Sequence, residues 1–226
     1  MCRSPESFTR TTTAAAAAIY IVAFVTGAVV MSFEMLGSRY LNPYFGSGIY
    51  TWAALISTVL LALAAGYFIG GAVADKTASL AVLAFTVTLA AAYLLLLPSF
   101  SRHVLDYVTA VVDDIRAGSL IAAFALIFVP VVFLGMYSPF AIRLLFPSAQ
   151  RSGRVSGAVY GVSTAGSIIG TLATTFLLIP AIGTRAITLT LGLISMAAGI
   201  ALLAISRLRC RSGTPAIILA LLLVLA

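Results

Sequence analysis

Apolar residues run along this chain in long, unbroken blocks, and polar residues are confined to the short gaps between them. The blocks at 14–41, 50–74, 78–97, 119–137, 156–179 and 185–205 approach or exceed the ~20 apolar residues a helix needs to cross a bilayer. They are rich in Leu and Ala and lack a period-two alternation, so they predict helices and not barrel strands. A bilayer supplies no water to satisfy backbone N–H and C=O groups, and a helix satisfies them within the span. A last apolar run, Pro215 to Ala226, would rise only about 18 Å as a helix, against a hydrocarbon core of ~30 Å. It predicts a partial seventh span and a chain that is part of a longer protein; a short re-entrant end is the alternative. The expected architecture is all-α: one polytopic transmembrane helical bundle over 1–226.

The stretch from Ser101 to Arg116 follows a different pattern. Val104, Leu105, Val108, Val111, Val112 and Ile115 recur at helical spacing, with Arg102, Asp106, Thr109, Asp113 and Arg116 on the opposite face. This predicts an amphipathic helix lying on the membrane surface, separated from the third span by Pro98. Asn42-Pro43 is expected to stop the first helix in the same way. Tyr40, Tyr44, Phe45, Tyr50 and Trp52 cluster around the following turn, as residues of an interfacial belt do.

Composition sharpens this picture. The chain is 62% hydrophobic and 8% charged, with a mean hydropathy of +1.16, which excludes a water-soluble domain. The net charge of +7 is not a nucleic-acid signature, because the basic residues flank the spans. Nine fall on one side: Arg3, Arg10, Lys76, Arg143, Arg151, Arg154, Arg207, Arg209 and Arg211. Four fall on the other: Arg39, Arg102, Arg116 and Arg185. The imbalance predicts a cytoplasmic N-terminus in a bacterial or archaeal inner membrane. The first apolar run is too long for a cleaved signal peptide, and no small-residue cleavage site follows it. Cys2 and Cys210 have no metal-ligand spacing, and no cofactor is implied. His103, the sole histidine, sits on the predicted surface helix and offers no hydrolytic triad, so no catalytic residue is assigned.

Glu34 is the only acidic residue inside an apolar run. Ionisable groups in spans are costly and face a partner or a pathway. Arg39 is the nearest candidate partner, but residues five apart on a helix point about 140° apart, so a pair requires a break near Gly37-Ser38 or long side chains reaching around the helix. Two readings stand at this stage: a binding or proton site for a cationic solute, or a structural ion pair. Glycines supply a second signal. Gly66 and Gly70, Gly157 and Gly161, and Gly166 and Gly170 each have the small-xxx-small spacing of close helix packing. The two pairs on the fifth span point in nearly opposite directions, which predicts an interior helix with neighbours on both sides. Asp75 follows Gly70 and Gly71 at the end of the second span, where it either caps a helix or pairs with Arg154. Short loops of this kind resemble those between spans of major facilitator transporters.

Four blocks, taken in order, resemble one family: FEMLGSRYLNPYFGS at 33–47, GYFIGGAVADK at 66–76, LGMYSPFAIR at 134–143 and SGAVYGVSTAGSIIGT at 156–171. They resemble the membrane portion of spermidine-synthase-like membrane proteins, in which a transporter-like region is fused to a polyamine aminopropyltransferase domain. The soluble, doubly wound catalytic part of that family has no counterpart in this sequence, so no catalytic role is carried over. The resemblance implies a non-catalytic membrane module marked by Glu34, Arg39, Asp75 and Arg143. It also implies a soluble aminopropyltransferase-type domain or partner and a polyamine-like solute. A small secondary transporter for a cationic or amphiphilic solute, and a membrane anchor or assembly subunit, are the alternatives.

Overall fold

The computed structural model describes residues 13–145 and 152–211, so the apolar run at 215–226 lies outside the described residues. Those residues are almost all helical, with no strand among them, and they form six helices long and apolar enough to span a membrane. The first three spans are single helices: α1 (Thr13–Phe45), α2 (Ile49–Lys76) and α3 (Leu80–Val111). The fourth is built from α4 (Ile115–Ala123), a π-helical segment (Phe124–Phe128), α5 (Val129–Gly135) and α6 (Tyr137–Leu145). The fifth combines α7 (Ser152–Leu172), a second π segment (Ala173–Leu178) and α8 (Ile179–Ala181); the sixth is α9 (Thr184–Arg211).

Helices pair chiefly across the sequence. α1 lies along α7, α3 lies along α9, and α2 packs on the segments of the fourth span. Two apolar layers are stacked along the bundle. One joins Phe33, Leu36 and Leu41 of α1 to Leu55 of α2, Leu97 of α3 and Ile127 of the first π segment. The other joins Ile19 and Ala23 of α1 to Leu83 of α3, Tyr137 and Phe140 of α6, and Leu202 of α9.

Prolines act differently from the sequence expectation. α1 is not stopped by Asn42-Pro43; it runs on to Phe45, the Gly46 N–H closes the last turn on the Asn42 carbonyl at 2.9 Å, and the positive φ of 74° at Gly46 then turns the chain out of the helix. Pro43 sits in the last turn, where the missing donor costs a single bond. Pro98 does not end the third span either. α3 continues for more than three turns beyond it, and the predicted separate surface helix over 101–116 is corrected: 101–111 is the end of α3, and Ile115 begins α4. Tertiary burial explains the continuity, because Ser101, Leu105 and Val108 are buried, the last two in the same apolar layer as Leu41 and Phe45. With 32 residues, α3 is about 48 Å long and exceeds the ~30 Å hydrocarbon core.

Pro130 and Pro180 have another effect. Each follows the end of a π segment by two residues, Phe128 and Leu178 respectively. Proline gives no N–H to the carbonyls four or five residues back and crowds the first of them, and widening the helix by one residue relieves the clash. For Pro130 those carbonyls belong to Leu126 and Ala125. The Tyr93 hydroxyl of α3 donates to the Ala125 oxygen at 2.9 Å, so a neighbouring helix satisfies an acceptor that its own helix leaves open.

Candidate functional site

Glu34 lies on the interior side of α1. Gly27, Val30, Met31, Gly37 and Ser38 share its face at helical spacing, and Gly37 stands against Leu55 of α2 and Ile127 of the first π segment. Glu34 is only 8% exposed, yet it forms no hydrogen bond or ion pair with any described residue. Arg39 is exposed on another side of the same helix. The helix has no break at Gly37-Ser38; the Ser38 hydroxyl donates to the Met35 carbonyl at 2.7 Å within the turn. The expected Glu34–Arg39 pair is therefore corrected. An unbroken helix holds the two side chains apart, as the 140° angle requires.

The other two polar marks do meet. Arg143 Nε lies 3.6 Å from Asp75 Oδ1, which ties the C-terminal end of α2 to α6. Both side chains are exposed, so this is a surface pair, and Asp75 is joined to Arg143 where the sequence suggested Arg154 or a cap. Asp75 and Arg143 sit at the end of the bundle where α2 finishes, whereas Glu34 is in the later part of α1, toward the end where α2 begins. The four residues do not make one site.

Glycines bring the helices together. A Cβ at Gly166 would overlap the Phe24 carbonyl of α1, and one at Gly170 would overlap that of Ala28. Across the same seam, a Cβ at Gly27 would overlap the Ser163 carbonyl. On α2, Gly66 faces the Val132 carbonyl and the Gly135 backbone, and Gly70 faces Met136. Gly157 and Gly161 differ: among the described residues nothing lies within 4 Å of the position a Cβ would take. The fifth span is the least buried of the six, which corrects its reading as an interior helix packed on both edges.

Where the α1–α7 and α2–α5 seams meet, between the two apolar layers, lies a cleft of about 70 Å³. Thr26, Tyr67, Ser138, Ser163 and Ser167, which carry hydroxyls, are among its lining residues, as is Gly135. The Ser167 hydroxyl lies 3.1 Å from the carbonyls of both Gly27 and Ser163, to which it donates. The Thr26 hydroxyl donates to the Ala23 carbonyl at 3.0 Å. Glycine spacing in the sequence pointed to close helix contact but not to this cleft. The available signal was the interleaving of Ser163 and Ser167 with Gly166 and Gly170, which sets hydroxyls beside the glycine edge. No cluster of His, Cys, Asp or Glu suited to a metal ion occurs among the described residues.

Neither family models, nor characterised proteins, nor solved structures give a match to this chain.

Proposed function

We propose that this chain is a membrane-embedded module that takes a cationic solute at Glu34. The observation that carries the reading is a glutamate only 8% exposed on the inner face of α1, whose carboxyl group has no partner from any described residue. A charge inside the bilayer costs a few kcal/mol, and spans keep such groups where they meet a partner or line a path. With Arg39 turned away, a positively charged solute is the complement that chemistry favours. The resemblance to the membrane portion of spermidine-synthase-like proteins makes a polyamine the solute class and a soluble aminopropyltransferase-type domain its companion. The nine-to-four distribution of basic residues supports a cytoplasmic N-terminus, with the Asp75–Arg143 end facing that side.

Glu34→Gln tests the reading, because glutamine keeps the shape and the hydrogen-bonding capacity but removes the charge. Purified wild-type protein is expected to gain thermal stability with spermidine in a saturable way. The variant should keep the unliganded melting temperature and lose that gain. A variant that responds to spermidine like the wild type would overturn the assignment. Uptake into vesicles then separates transport from static binding.

A further inference from the structure

We infer that the apolar groove between α2 and the start of the fourth span seats an acyl chain of a zwitterionic phospholipid, with the lipid phosphate on Arg116. The proposal stands on different residues from Glu34 and does not depend on it. α2 and α4 begin at the same end of the bundle and run side by side from there. A groove of about 430 Å³ lies between them. Leu61, Leu120, Ile121 and Phe124 are among its lining residues, and only Ser57 and Thr58 add polar side chains. Those four apolar side chains are also exposed, so the groove opens toward the bilayer, where lipid tails are the most abundant apolar groups. Its depth fits a tail. Leu61 lies about 16 Å beyond Tyr50 along α2, and Phe124 lies about 12 Å beyond Arg116 on the fourth span. Half of the ~30 Å hydrocarbon core is about 15 Å, so the groove follows one leaflet inward from the end where α2 begins.

The head of the groove distinguishes it from an ordinary lipid-facing surface. Arg116 precedes Leu120 by one turn on α4, and Tyr50 precedes Ser57 by two turns on α2, so both stand above the groove on the faces that wall it. The Arg116 guanidinium carbon lies 4.6 Å from the centre of the Tyr50 ring, and this contact holds the cation between the two helices. Arg116 forms no ion pair among the described residues, and its side-chain N–H donors have no acceptor there. A guanidinium offers those donors as a planar fork that matches phosphate oxygens, at the level where an aromatic belt marks the headgroups. Asp113 and Asp114 precede Arg116 directly, and Asp114 Oδ1 accepts from the Arg116 backbone N–H at 3.2 Å as the N-cap of α4. Two carboxylates beside one guanidinium oppose a head with net negative charge. A head that carries an ammonium next to its phosphate complements both signs, which favours an ethanolamine-type phospholipid over an anionic one.

The test uses the full chain, purified and delipidated in detergent, with melting temperature followed as lipid is added. Phosphatidylethanolamine, phosphatidylglycerol and diacylglycerol with identical acyl chains are compared with glycerophosphoethanolamine, which has the head and no chains. Phosphatidylethanolamine should raise the melting temperature saturably, at concentrations roughly tenfold lower than the other two lipids require, and the chain-free head should have no effect. Arg116 is exposed, so Arg116→Gln should keep the lipid-free melting temperature while reducing the phosphatidylethanolamine response to that of diacylglycerol. Ser57 is exposed as well, and Ser57→Leu puts bulk into the groove; it should weaken the phosphatidylethanolamine response by about tenfold. One variant tests the head and the other the chain, so either remains decisive if the other does not fold. Glu34→Gln should leave the phospholipid response intact while losing that to spermidine, so the two sites fail or succeed separately. Equal responses to the three lipids would overturn the inference, as would a preference for phosphatidylglycerol or a response to the chain-free head. So would undiminished selectivity in Arg116→Gln or an undiminished response in Ser57→Leu.

Discussion

The two glycine pairs of α7 have the same spacing and opposite surroundings. Gly166 and Gly170 lie against the α1 backbone so closely that neither position has room for a Cβ. Gly157 and Gly161, two to three turns earlier on the same helix, meet nothing within 4 Å among the described residues. The difference lies in what the partner offers. At the first pair, α1 presents Gly27 and Ala28, which let two backbones approach, and Ser167 adds a hydrogen bond to the Gly27 carbonyl across the gap. At the second, no described atom lies within 4 Å of either Cβ position, and the adjacent Tyr160 meets Tyr67 of α2 edge-on, with ring centroids 6.4 Å apart. Small residues make a smooth strip that permits close approach; they do not compel it.

The largest effect should come from filling the closed edge. In Gly170→Leu the new side chain meets main-chain atoms of Ala28, which cannot rotate away as a side chain can. α1 and α7 must separate, and the cost is expected to reach at least about 3 kcal/mol, at or above the upper end of ordinary overpacking. In detergent this should read as a large fall in melting temperature or loss of the monodisperse species. A wild-type melting temperature would mean that the seam is looser than the glycine contacts require, and the contrast between the two edges would disappear.

The same contrast explains how far the sequence was legible. The six spans were readable because each is a long apolar block, and a bilayer leaves such a block few options other than a helix. Helix ends were not, since Pro43 and Pro98 are local signals and continuation was decided by tertiary burial, of Leu105 and Val108 for example. Glu34 stood out as the lone acid in a span, but its link to Arg39 rested on nearness in sequence, which an unbroken helix turns into opposed directions. Asp75 and Arg143 are 68 positions apart and meet only because α2 and α6 end side by side. The hydroxyl cleft depends on two helix seams converging, and no spacing within one span encodes that.

A smaller loss sharpens the comparison from the closed side. Ser167→Ala removes the one side-chain hydrogen bond between α7 and α1 among the described residues and leaves the glycine contacts in place. Hydrogen bonds between membrane helices contribute about 0.6 kcal/mol on average and up to ~1.7, so a decrease near 1 kcal/mol is expected. Denaturation of the purified variant measures it. A loss as large as that of Gly170→Leu would shift the explanation of the seam from backbone proximity to the hydroxyl.

The smallest effect belongs to the open edge. Gly161→Leu adds four carbons where no described atom lies within 4 Å of the first of them. Gly161 is itself exposed, so its Cβ meets neither backbone nor packed neighbours among the described residues, and overpacking has little to act on. Leucine is also a better helix former than glycine by somewhat under 1 kcal/mol in aqueous peptides, because glycine loses more backbone freedom on folding. The two terms together give a melting temperature equal to or slightly above that of the wild type, and Gly157→Leu should behave alike. A destabilisation above about 2 kcal/mol would instead mean that this edge is covered in the intact protein, by residues outside those described or by a partner helix. The two glycine pairs would then be equivalent, and the exposure of the fifth span would mark an interface. If Gly161→Leu is neutral while Gly170→Leu is severe, backbone approach from α1, and not glycine spacing as such, is what holds the fifth span in the bundle.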